Sequence, residues 1–193
     1  MEKIHTMVED DNGVHGIYYL NKTNLNKFDI NEYLKICIIR NPYERLISGI
    51  IQRSKHLIVY ENYQNMNVSK LIEKIKRDNC VDVDKNHFNL QSSNLLEFKF
   101  DKVIDIKNMS ELNVIFNFDT TSKHGGHDTK YTDVSQDYNK MTLEQIAEQH
   151  KNKSGFSKQI SSWFTEKDIK VINEMYEEDF KFAESYDIYY EKL

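Results

Sequence analysis

The segment Arg40-Asn-Pro-Tyr-Glu-Arg45-Leu-Ile-Ser48 puts a guanidinium, capping side chains and a hydroxyl into one short stretch. Arg40 offers a planar cation whose donors match phosphate oxygens, and Ser48 adds a hydroxyl further on. Asn41 is a helix N-cap type, Pro42 suits the first helical position, and Glu44 stands where a capping box takes an acid. A helix start also presents free N–H groups and the positive end of its dipole. Together these groups can hold an anion, and a phosphate above all.

The flanking elements must bring these groups together. Ile36 to Ile39 form an apolar run that ends at Arg40. The run predicts a parallel strand covered on both faces, with Arg40 delivered to the turn at its end. Leu46, Ile47, Ile50 and Ile51 recur at helical spacing, so a helix follows the turn. Strands are expected over residues 35–39 and 102–106. Helices are expected after the capping residues Ser69, Ser110, Thr142 (with Gln145 completing a box) and Thr165, the last running through Phe180. Residues 119–139 are polar, contain Gly125-Gly126, and read as a loop. Strands alternating with helices imply an α/β fold. Trp163 belongs in the core, and the aromatic C-terminal stretch reads as a docking helix and tail.

A chain of 193 residues suits one sizeable domain, here residues 1–193, and is too short for two of ordinary size. A net charge of −5 argues against nucleic-acid binding. Cys37 and Cys80 form neither a disulfide framework nor a metal motif, which favours a reduced compartment. No apolar run approaches the ~20 residues that span a bilayer. Residues 1–12 are polar and acidic, unlike a signal peptide. A soluble, cytoplasmic protein is expected, of undetermined oligomeric state.

Residues 40–48 closely resemble the 3′-phosphate-binding motif of sulfotransferases that use 3′-phosphoadenosine 5′-phosphosulfate (PAPS). The likeness is strongest to the carbohydrate branch, sulfotransferase family 2. Its members carry an Arg-(Asp/Asn)-Pro-(Phe/Tyr)-Glu-Arg-Leu-(Val/Ile)-Ser segment. The resemblance implies a P-loop-NTPase-like fold with a central parallel sheet flanked by helices. It also implies that Arg40 and Ser48 hold the donor's 3′-phosphate, while Arg45 anchors the turn through acidic or carbonyl partners. The implied reaction moves a sulfuryl group to a hydroxyl, on a carbohydrate, without a metal. One part is unmatched. That family wraps the 5′-phosphosulfate in an upstream strand, loop and helix, but none of the 39 residues before Arg40 forms such a loop. Asn21-Lys-Thr-Asn24 is the nearest imitation. The expectation is a chain shortened at its N-terminus that lacks this strand, or another segment that supplies the cation.

The same resemblance points to further residues. His15-Gly-Ile17 is similar to a His-Gly-His stretch that supplies a general base in some glycan-uronic-acid sulfotransferases, with Ile17 replacing the second histidine. Asp84, His87, Phe88 and Gln91 fit an (Asp/Glu)-x-His-(Trp/Phe)-x-x-Gln segment that lines the cleft in similar enzymes. A histidine titrating near neutrality could deprotonate an acceptor hydroxyl. His15 and His87 are therefore the catalytic candidates, with surface or structural roles as the alternative. Lys123, in Ser122-Lys123-His124, matches a stretch that closes over the donor, and a solvated loop lysine is its alternative. His124 and His127 have no third ligand at suitable spacing, so no zinc site is expected. The rival to an enzyme is a non-catalytic protein that keeps the fold and binds a nucleotide or a partner. A P-loop kinase is disfavoured, because the chain has no Walker-type glycine loop.

Overall fold

The computed structural model describes residues 4–9, 15–20, 34–79, 85–94, 99–116, 131–132 and 136–193. The chain divides into two compact units, Met1–Ile36 and Cys37–Leu193. In the first, β1 (Ile4–Glu9) pairs antiparallel with β2 (His15–Leu20), in a register running from Ile4 opposite Leu20 to Glu9 opposite His15.

The strand expected before Arg40 is β3 (Ile36–Ile39). It is followed by α1 (Pro42–Leu57), α2 (Val68–Arg77) and the short α3 (Lys85–Phe88). Next come β4 (Lys102–Asp105), α4 (Glu111–Phe116), α5 (Leu143–Lys151), α6 (Ile160–Trp163), α7 (Glu166–Met175) and α8 (Glu177–Glu184). β3 and β4 form a parallel two-stranded sheet, and the fold is α/β. Cys37 and Ile39 share a small core with Val103, Phe182 and Ala183, whereas Ile38 is 44% exposed. The strand is therefore packed on one face, not on both as its apolar run predicts. Successive side chains of a strand point to opposite faces, so one packed face buries only alternate residues.

The main core is built around α1. Leu46, Ile47, Ile50 and Ile51 are all buried there, each worth roughly 1.5–3 kcal/mol relative to exposure. α1 packs most extensively on α5 and also meets α3 and α6, while α2 packs on α7. Trp163 is fully buried as expected. Its ring stacks on Tyr138 with centroids 4.3 Å apart, and its indole N–H donates to the Ser157 carbonyl at 2.9 Å.

The capping boxes of Thr142 with Gln145 and of Thr165 with Asp168 form. Two expectations change. The cap of α2 is Asn67, whose side chain accepts the Lys70 N–H at 3.0 Å. Ser69 instead sits inside the first turn and donates to Asp168 at 2.7 Å, tying α2 to α7. The helix after Thr165 also stops at Tyr176, whose backbone (φ −109°, ψ 19°) leaves the helical region before α8 begins. Of the expected loop over 119–139, Tyr131 bridges Phe156 in parallel, and Tyr138–Lys140 form a 3₁₀ turn. Among the described residues, no helix is long and apolar enough to cross a membrane.

Candidate functional site

Arg40 follows the last residue of β3 and precedes the cap of α1. Its backbone is held on both sides by one amide. The Arg40 N–H donates to Gln91 Oε1 at 3.0 Å, and Gln91 Nε2 donates to the Arg40 carbonyl at 2.7 Å. Asn41 caps the helix, its Oδ1 accepting the Tyr43 N–H at 3.0 Å. The Arg40 and Tyr43 amides are thus already taken. Glu44 turns towards cations: its carboxylate lies 2.7 Å from Lys107 Nζ and 4.0 Å from Arg40 Nε.

These groups open on a cleft of about 470 Å³ lined by Arg40, Glu44, Ile47, Ile106, Lys107, Tyr131 and Lys158. That volume falls within the range of small-molecule sites. Among the described lining residues, three cations face one carboxylate, so the cleft favours a ligand carrying several negative charges. Arg40 Nε is buried with no hydrogen-bond partner among the described residues. The Glu44 carboxylate at 4.0 Å offsets its charge without a hydrogen bond. Elsewhere on the lining, Lys158 Nζ stands 5.2 Å from the centre of the Tyr131 ring, within cation–π range. The Tyr131 wall is fixed by its bridge to Phe156, where the Thr132 N–H donates to the Phe156 carbonyl at 2.8 Å. Burial, and then the Asp105 and Glu44 carboxylates, push the Tyr190 phenol above its ordinary pKa, so it stays neutral.

Ser48 is half-buried on α1 and accepts from Gln52 Nε2 at 3.4 Å. It is not among the described residues lining the cleft. His87 is half-buried and ends near α1, where the lack of a side chain on Gly49 permits close approach. A Cβ on Gly49 would lie 3.1 Å from the Phe88 ring and 3.3 Å from the His87 carbonyl. His87 too is absent from the described lining. His15 opens β2 in the N-terminal unit. Lys123, His124, His127, Asp84, Cys80 and residues 21–24 lie outside the described residues. Arg45 donates to the Asn89 carbonyl, the kind of anchor expected for it.

Sequence reasoning missed Lys107, Tyr131 and Lys158. A signal existed for Lys107, since it lies just beyond the C-terminal end of β4, where open α/β sheets hold ligands. Tyr131 and Lys158 reach the cleft only through the pairing at Phe156, which no local pattern announces.

The profile described as "Sulfotransferase family" matches residues 2–184. The chain belongs to the sulfotransferase family. The matched span includes every described residue that lines the cleft. No curated protein and no solved structure matches this sulfotransferase. Its family reaction is sulfuryl transfer, which makes the chain a transferase by membership. That reaction needs positioning and stabilisation of negative charge more than covalent help. A cleft lined by three cations is suited to that task.

Proposed function

We propose that this sulfotransferase moves a sulfuryl group from PAPS to a hydroxyl of a carbohydrate-type acceptor. One observation carries the reading: Arg40, Lys107 and Lys158 line one cleft in which Glu44 is the single carboxylate among the described lining residues. Arg40 binds the 3′-phosphate, as the resemblance of residues 40–48 implies. Lys107 and Lys158 supply positive charge at the phosphosulfate end. Ser48 and Lys123 serve as further donor contacts. His87 or His15 takes the acceptor proton as the acceptor oxygen attacks sulfur and the sulfur–oxygen bond to the nucleotide breaks. The carbohydrate acceptor rests on the motif's likeness to the carbohydrate branch.

The test is a titration with adenosine 3′,5′-bisphosphate, read by thermal shift and calorimetry. Removing a charge-assisted phosphate contact costs about 1.5–3 kcal/mol. Arg40→Ala should therefore weaken binding roughly 10- to 100-fold. Equal binding by the variant and the parent would overturn the assignment. Replacing His15 and His87 by Gln then separates a base, whose loss flattens the pH–rate profile, from a contact that only raises KM.

A further inference from the structure

Side chains satisfy the backbone of residues 88–92, at the end of α3 and just beyond it, at four points. The Tyr176 hydroxyl donates to the Phe88 carbonyl at 2.7 Å, and Arg45 donates to the Asn89 carbonyl. Asp179 accepts the Gln91 N–H at 3.0 Å on one oxygen and the Ser92 N–H at 2.8 Å on the other. Asp179 is only 4% exposed. A carboxylate is costly to bury unless charge-assisted hydrogen bonds compensate it, and these two backbone donors do so. Gln91, fixed through its backbone by Asp179, then turns its amide onto both backbone groups of Arg40.

We propose that Asp179 and Gln91 act as a positioning relay that fixes the backbone of Arg40, so that α8 sets how the guanidinium is presented to the cleft. Neither residue is among the described lining of the cleft, so both act through Arg40. The reason for such a relay is geometric. Arg40 lies between the last residue of β3 and the cap of α1, where neither ladder nor helix bonds hold its own N–H. The Gln91 amide mimics a neighbouring strand at that one residue, donating and accepting as a backbone partner would. A long side chain whose root is fixed loses less freedom on gripping an anion. The role assigned to Arg40 rests on the donor-site reading above. The fixing of its backbone does not.

The experiment uses the full chain and two readouts: exchange of the Arg40 amide followed by NMR, and calorimetric affinity for adenosine 3′,5′-bisphosphate. Gln91→Ala removes the acceptor of that amide and should speed its exchange about tenfold. Asp179→Asn does not touch Arg40, yet it should speed the same amide roughly three- to tenfold and weaken the nucleotide by a similar factor. Lys181→Ala, exposed on α8, should change neither. Ile172→Val, a core change, sets the effect of general destabilisation. If it moves the Arg40 amide and the affinity as much as the relay variants do, the roles are merely structural and the proposal falls. Arg40 protection and nucleotide affinity that survive Gln91→Ala also overturn it, and this variant decides alone if Asp179→Asn does not fold. Release of the Arg40 amide in the variants, with no nucleotide binding by the parent, leaves the relay standing and removes the donor-site reading instead.

Discussion

The two walls of the cleft are held in different ways. On the Arg40 wall, strand end, helix cap and the Gln91 amide converge on consecutive residues, and α8 braces that amide through Asp179. On the Tyr131 wall, one bridge to Phe156 and a lysine–ring contact place Tyr131 and Lys158. Local sequence prescribes the turn of the first wall, and Gln91 and Asp179 reach it from far along the chain. The second depends on two segments meeting across a distance in the chain. The difference teaches that a charged cleft needs only one densely fixed side, provided the other is kept in register by close packing.

The strongest way to break the second wall is Gly155→Ala. An added Cβ would lie 2.0 Å from Thr132 Cγ2 and 2.6 Å from Thr132 Oγ1, so the Tyr131–Phe156 pairing must shift. Overpacking of this kind costs about 1–3 kcal/mol. Chemical denaturation should show that loss, and nucleotide affinity should fall with it. A variant as stable as the parent would mean that the wall is looser than its geometry indicates.

An effect confined to alkaline pH comes from the back of the first wall. Burial pushes the Cys37 thiol from 9.0 to about 12. Below pH 9 the thiol is neutral in both folded and unfolded chains and contributes no pH dependence. Between about 9 and 12 the unfolded chain ionises while the folded one does not, so stability falls by about 1.4 kcal/mol per pH unit. Cys37→Ser should flatten this slope in alkaline denaturation curves. An unchanged slope would show that Cys37 is not the group responsible.

The smallest effect sharpens the comparison at the cleft itself. Lys158→Met keeps the length of the side chain and removes its charge. It should weaken adenosine 3′,5′-bisphosphate by roughly two- to fivefold at low salt, and less as ionic strength rises. An effect as large as that of Arg40→Ala would erase the ranking of the two walls.

By itself the sequence determined the strand, turn and helix around Arg40, the caps of α5 and α7, and the buried place of Trp163. These follow from residue types within a few positions of one another: an apolar run, Asn41-Pro42, and Thr with Gln or Asp three residues on. Only the tertiary structure decided that Lys107 and Lys158 would join Arg40, that Ser48 and His87 would lie off the described lining, and that Ser69 would brace α7 rather than cap α2. It also decided that Gln91 and Asp179, 88 residues apart, would act on one backbone residue. The physical reason is range. Capping and periodicity act within a turn or two of the chain, whereas charge convergence and side-chain-to-backbone bonding depend on which distant segments the core brings side by side.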